Sequence, residues 1–160
     1  MLTATLEDIL SKTGVFLALG DHELYIVRDG KTVLYVGQTI CGIEHRLWTH
    51  IHGGYGSEPS RLGRLVLANM PASQAWQVEA LTMDECLPLA QMIYPELKCL
   101  DLSTTENILI QYYRPCLNVA NNPDPSPLPE KYADPDDHRD LWRDPRVRDA
   151  MKAIKWGPQR

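Results

Sequence analysis

Residues 23–39, ELYIVRDGKTVLYVGQT, leave this chain little conformational choice. Two runs rich in Val, Ile, Leu and Tyr flank Asp29-Gly30, and a turn of that chemistry between alternating runs makes a hairpin. Strand side chains alternate between faces, so the loop length decides which of them share one. A loop with an odd number of residues, such as Asp29 to Lys31, sets Tyr25 opposite Tyr35 with both phenols on one face. A two-residue loop sets Tyr25 against Leu34 and separates the tyrosines. The apolar alternation favours the odd loop. A strand tyrosine ordinarily just fills a half-buried sheet, so the pair gains meaning only from its surroundings.

The rest of the pattern is largely helical. Thr5, with Asp8 three residues on, opens a short helix whose apolar stripe is Leu6, Ile9 and Leu10. Residues 42–51 read as a helix, 53–59 as a loop, 60–70 as a second helix and 74–81 as a third strand. Residues 83–94 begin as a helix that tolerates Pro88 only in its first turn. Ser103 to Glu106 opens another helix, running to about Tyr113. The order α-β-β-α-α-β-α-α predicts an α+β fold: a small three-stranded antiparallel sheet flanked by helices. One domain spans residues 1–120. Residues 121–160 follow as a Pro-rich linker and an amphipathic C-terminal helix. PDPSPLP, residues 123–129, is stiff and extended. Asp144-Pro145 then starts a helix over 145–156. Val147, Met151 and Ile154 share one face of it, expected to dock on the domain or on a second copy, and Arg148, Lys152 and Lys155 share another.

With 44% hydrophobic and 23% charged residues, the 160-residue chain can bury a core. No apolar run approaches the roughly 20 residues of a spanning helix, so no membrane segment is expected. The sequence MLTATLEDILSK has acids where a signal peptide needs basic residues. Cys41, Cys86, Cys99 and Cys116 are scattered, with no CxxC pair, which points to reduced thiols and a cytoplasmic chain. The net charge of −5 argues against a nonspecific nucleic-acid coat protein. The charge is uneven, however. Residues 24–70 carry five basic against three acidic residues plus His45, His50 and His52, while residues 71–120 carry two against six. Screening over about 10 Å makes the local patch matter more than the total.

Two places carry chemistry. Arg46 and His50 are four apart on the helix, bordering the stripe of Ile43, Leu47 and Ile51. A guanidinium and an imidazole at such an edge can face an anion, although an ordinary amphipathic helix would look the same. Glu106 has two readings. It can close a capping box with Ser103, or, sharing a face with Leu109, Ile110 and Tyr113, it can need a partner or a cation. A hard divalent ion held by one carboxylate and several waters would satisfy it. Cys41 and His45 form an i, i+4 pair but lack two further zinc ligands in a recognisable spacing.

Taken in order, Leu24-Tyr25-Ile26, Leu34-Tyr35-Val36-Gly37-Gln38-Thr39, Arg46-x-x-x-His50 and Glu106-x-x-Leu109-Ile110, with Pro115 and Asn118, resemble the GIY-YIG nuclease domain over about residues 22–119. Glu23 departs from the glycine of the first motif and Leu24 from its isoleucine. Gln38 stands where a lysine is frequent. The resemblance implies a metal-dependent endonuclease that hydrolyses phosphodiester bonds of nucleic acid, with DNA the expected substrate. It implies Glu106 as the ligand of magnesium or manganese (Mg2+ or Mn2+). Tyr25 would be the general base or positioner of water, and Tyr35 would lie beside the phosphate. Arg46 would stabilise transition-state charge, and His50 would assist by hydrogen bonding. Gly37, Gln38, Thr39 and Asn118 would contact or brace the substrate. A homodimer stays open. The alternative is a module of the same fold that binds nucleic acid or a protein partner without cutting, to which the acidic surface, Glu23 and Gln38 point.

Overall fold

Four strands, β1 (Leu2–Thr5), β2 (Leu24–Asp29), β3 (Thr32–Gln38) and β4 (Gln77–Leu81), form one antiparallel sheet in the order β1-β4-β2-β3. The structure, a computed structural model, describes residues 1–11, 19–53, 58–133, 135–136 and 141–154. The sheet has one strand more than the three expected. Four residues are too few to show a period, and β1 exists through pairing with a distant strand, Leu2 lying opposite Ala80.

The hairpin turn is shorter than the odd loop that the alternation favours. Asp29 pairs with Thr32, so the turn holds two residues, with Gly30 at φ 55°. Such a loop should split the tyrosines. The register then shifts, because Val27 faces Tyr35 while Arg28 faces Val33, leaving Leu34 as an extra, bulged residue. The bulge restores the parity that the short loop removed. Tyr25 therefore lies opposite Gly37 rather than Tyr35, yet both phenols share a face.

Six helices cover the sheet among the described residues: α1 (Leu6–Leu10), α2 (Ile43–His52), α3 (Arg61–Ala68), α4 (Met83–Ile93), α5 (Leu102–Tyr113) and α6 (Pro145–Ile154). Tyr25, Val27, Val78 and Ala80 face one core with Leu6 and Ile9 of α1, Leu47 and Ile51 of α2, and Leu65 of α3. Leu24, Ile26 and Val36 face the other, with Cys86 of α4 and Leu109 and Ile110 of α5. Thr5 and Asp8 make the expected capping box. Pro88, in contrast, sits well inside α4, whose start is secured by the Thr82–Glu85 capping box and whose buried face is Cys86 and Ala90. The cap of α5 is Asp101, which accepts from the Thr104 N–H at 2.8 Å, so Glu106 is free of the capping role with Ser103. No described helix is long and apolar enough to cross a membrane.

The chain after α5 wraps the domain. Cys116 and Leu117 donate to the carbonyls of Val33 and Leu34 at 3.1 and 2.9 Å, covering the open edge of β3. Tyr132, Leu141 and Val147 are buried in the first core, with Leu128 packed against it. Lys131 and Tyr132 reach Asp29 at the hairpin tip, at 3.0 and 2.7 Å. Asp136 pairs with Arg61 and Arg64 of α3. The side chains of Met151 and Ile154, and all of Lys155 and Trp156, lie outside the described residues.

Candidate active site

The site forms where β2 and β3 end nearest α2. Tyr25 is fully buried, and its Oη lies 3.0 Å from Nε2 of His50. Tyr35 is half-buried; its ring centre is 6.1 Å from that of Tyr25 and 5.1 Å from that of His50, which it meets edge-on. Gly37 makes this possible. A Cβ there would stand 2.5 Å from Cζ and Oη of Tyr25 and 2.8 Å from Cε1 of Tyr35. The glycine of the second motif is thus a gap that one phenol fills.

Along α2, Ile43, Leu47 and Ile51 point into the core as their spacing requires, and the edge residues divide. His50 is buried, while Arg46 is exposed. The Arg46 charge acts on both phenols, on the imidazole and on the Glu106 carboxylate. Glu106 arrives from the opposite layer, on α5. It is half-buried, and its Oε2 accepts from Nε2 of Gln38 at 2.9 Å. The alternation that turns Tyr25 to one side of the sheet turns Gln38 to the other, and so selects it as the partner of Glu106.

Burial dominates the protonation states. It raises Tyr25 well above the ordinary phenol range, with Tyr35 adding to the rise and Arg46 opposing it. Tyr35 is raised by burial against the same arginine. Burial, then Arg46, push His50 down to about 4, so the imidazole is neutral at neutral pH. Burial raises Glu106, while the Gln38 amide and Arg46 draw it back.

Thr39 and Asn118 belong to the framework. Thr39 Oγ1 accepts from the Cys41 N–H and donates to the Gly42 carbonyl, shaping the turn into α2. Asn118 spends both ends of its amide on Val36, accepting from its N–H at 2.9 Å and donating to its carbonyl at 2.8 Å. Glu23 is exposed and helps line a neighbouring cavity of about 270 Å³ with Asp21, His22 and Ile40. Cys41 and His45 are exposed, and no group of three metal-binding side chains occurs among the described residues.

One contributor escaped the sequence reading. Ser60 caps α3, its Oγ accepting from the Gly63 N–H at 3.1 Å, and lies 2.6 Å from Nδ1 of His50. Its own N–H donates to the His50 carbonyl at 2.9 Å. A Cβ on Gly63 would run into that carbonyl, so the glycine lets α3 approach this closely. The available signal was a serine directly before an amphipathic run with glycine inside it.

Comparison of the chain with protein-family models, with curated proteins and with solved structures found no match.

Proposed function

We propose that this chain is a metal-dependent endonuclease of the GIY-YIG kind, hydrolysing phosphodiester bonds of nucleic acid, with DNA as the expected substrate. The observation that carries this reading is one cluster: Tyr25 on His50, Tyr35 edge-on to the same imidazole, and the Arg46 charge reaching them and Glu106.

The donor set suits a hard cation. Oε2 of Glu106 accepts from the Gln38 amide, and magnesium is commonly bound through one or two carboxylates with waters completing its shell, so Glu106 would be the ligand. When bound, the ion neutralises charge on the scissile phosphate. The side chains supply the rest. Arg46, exposed beside the phenols, faces the phosphate and stabilises the charge that builds on it in the transition state. Tyr35 flanks the phosphate. Tyr25 is the group assigned to orient the attacking water and take its proton, a role that requires its buried oxygen to become accessible when substrate binds and positive charge to lower the phenol's pKa. His50, neutral and buried, fixes that oxygen.

A second reading has one observation behind it. Tyr25 is fully buried and its pKa is raised, which suits a module that binds without cutting. Nicking of plasmid DNA with magnesium or manganese separates the two. We expect wild type to nick and Glu106→Gln to be inactive but folded, since an amide removes the charge. Arg46→Ala should lose roughly 10²-fold in rate, the scale of a lost transition-state contact. Activity retained in Glu106→Gln would place the metal elsewhere. No cleavage together with saturable DNA binding would favour the second reading.

A further inference from the structure

We propose that Ser60 is a positioning residue that sets the tautomer of His50, making the imidazole a hydrogen-bond donor to Tyr25. The inference rests on the nuclease reading for its consequence in catalysis, but not for its geometry.

The two contact lengths favour one arrangement of the protons. Hydroxyl donors make bonds of about 2.5–3.0 Å, whereas N–H donors centre near 2.9–3.0 Å. The Ser60–His50 contact is 2.6 Å and the His50–Tyr25 contact is 3.0 Å. The first suits Ser60 O–H donating to Nδ1, and the second suits Nε2–H donating to Tyr25 Oη. Valence agrees. Ser60 Oγ already accepts from the Gly63 N–H, so its single proton is free to be given to Nδ1. With Nδ1 accepting, a neutral imidazole carries its proton on Nε2. His50 is held neutral by burial and by Arg46.

The consequence falls on Tyr25. Its oxygen receives a bond from Nε2–H and is also drawn on by the Arg46 guanidinium, and both favour the phenolate against burial, Tyr35 and Glu106, which together hold the phenol's pKa up. Nε2 itself cannot take a proton in this tautomer. Once the phenol has lost its proton to solvent, the phenolate oxygen of Tyr25 is the acceptor for the proton of water, with His50 as its support. The seam between α2 and α3 holds both ends of this residue, since Ser60 binds the backbone carbonyl of His50 as well as its ring.

The test uses two substitutions that keep the helix cap. Ser60→Thr retains a hydroxyl that can donate. Ser60→Asp retains an acceptor for the Gly63 N–H but, once ionised, can only accept from the ring. Nitrogen-15 NMR of histidine-labelled protein at alkaline pH, assigned with His50→Gln, reads which ring nitrogen is protonated. We expect Nε2 protonated in wild type and in Ser60→Thr, and Nδ1 protonated in Ser60→Asp. Plasmid cleavage should be near wild type for Ser60→Thr and lower by roughly 10²-fold in kcat, with KM unchanged, for Ser60→Asp. Nδ1 protonated in wild type would overturn the proposal, as would an inverted tautomer with undiminished cleavage. If wild type cuts nothing, the spectra still decide the tautomer, and it is the nuclease reading that falls.

Discussion

Gly37 matters for what it lacks. The phenol of Tyr25 occupies the volume a side chain would take, at 2.5 Å from a Cβ. Gly37→Ala must displace Tyr25 or the strand, at about 1–3 kcal/mol, the usual cost of overpacking. Urea unfolding should show that loss, and the variant should cut poorly because Oη leaves Nε2 of His50. His50 leaves its own signature in the response to pH. Its folded value of about 4 lies below the ordinary 6.5, so between them the unfolded chain binds a proton that the folded chain refuses. The associated stability is complete above about pH 6.5 and is lost as pH falls toward 4, up to roughly 3 kcal/mol. Denaturation curves across that range should flatten in His50→Gln relative to wild type. If they run parallel, the imidazole is not buried neutral. Tyr25, Arg46 and His50 were legible as a set because motif spacing survives in one dimension. Ser60 was not, because its link to His50 depends on how closely two helices approach at Gly63.

Among the elements, β3 depends most on outside help. It is an edge strand, and Asn118 supplies the pairing at Val36 that a neighbouring strand would otherwise give. Asn118→Ala removes an acceptor and a donor together, and buried groups left unpaired cost about 1–3 kcal/mol. Hydrogen exchange should quicken at Val36 and its neighbours more than in β4; uniform acceleration would mean that Asn118 acts only through global stability. The hairpin was legible and its loop was not. Alternation correctly put both tyrosines on one face, but a two-residue turn with a bulge at Leu34 has the same parity as an odd loop with no bulge. Helix α4 misled for a different reason, since Pro88 costs one hydrogen bond and packing of Cys86 and Ala90 outweighs it.

For the molecule as a whole, the described residues of 121–133, 135–136 and 141–147 act as an outer clasp. Tyr132 packs edge-on against Trp76 at 5.6 Å, and Asp29 and Arg61 are both tied by this segment. Burial of Leu141 and Val147 contributes up to about 1.5–3 kcal/mol each. Deleting residues 121–160 should therefore lower Tm sharply and cause aggregation on expression. A soluble, cooperatively melting product would show that the domain closes without it. Composition announced a linker and an amphipathic helix, whereas the ion pairs that fasten them needed three dimensions. The bond from Tyr132 to Asp29 also spans 103 residues of sequence, and β1 must wait for β4. On the ribosome, then, residues 1–120 emerge with one side of their core still open, a surface for chaperones to hold until Leu141 and Val147 are made. A nonsense codon before Leu141 should accordingly yield a product for the proteases rather than a shortened working protein.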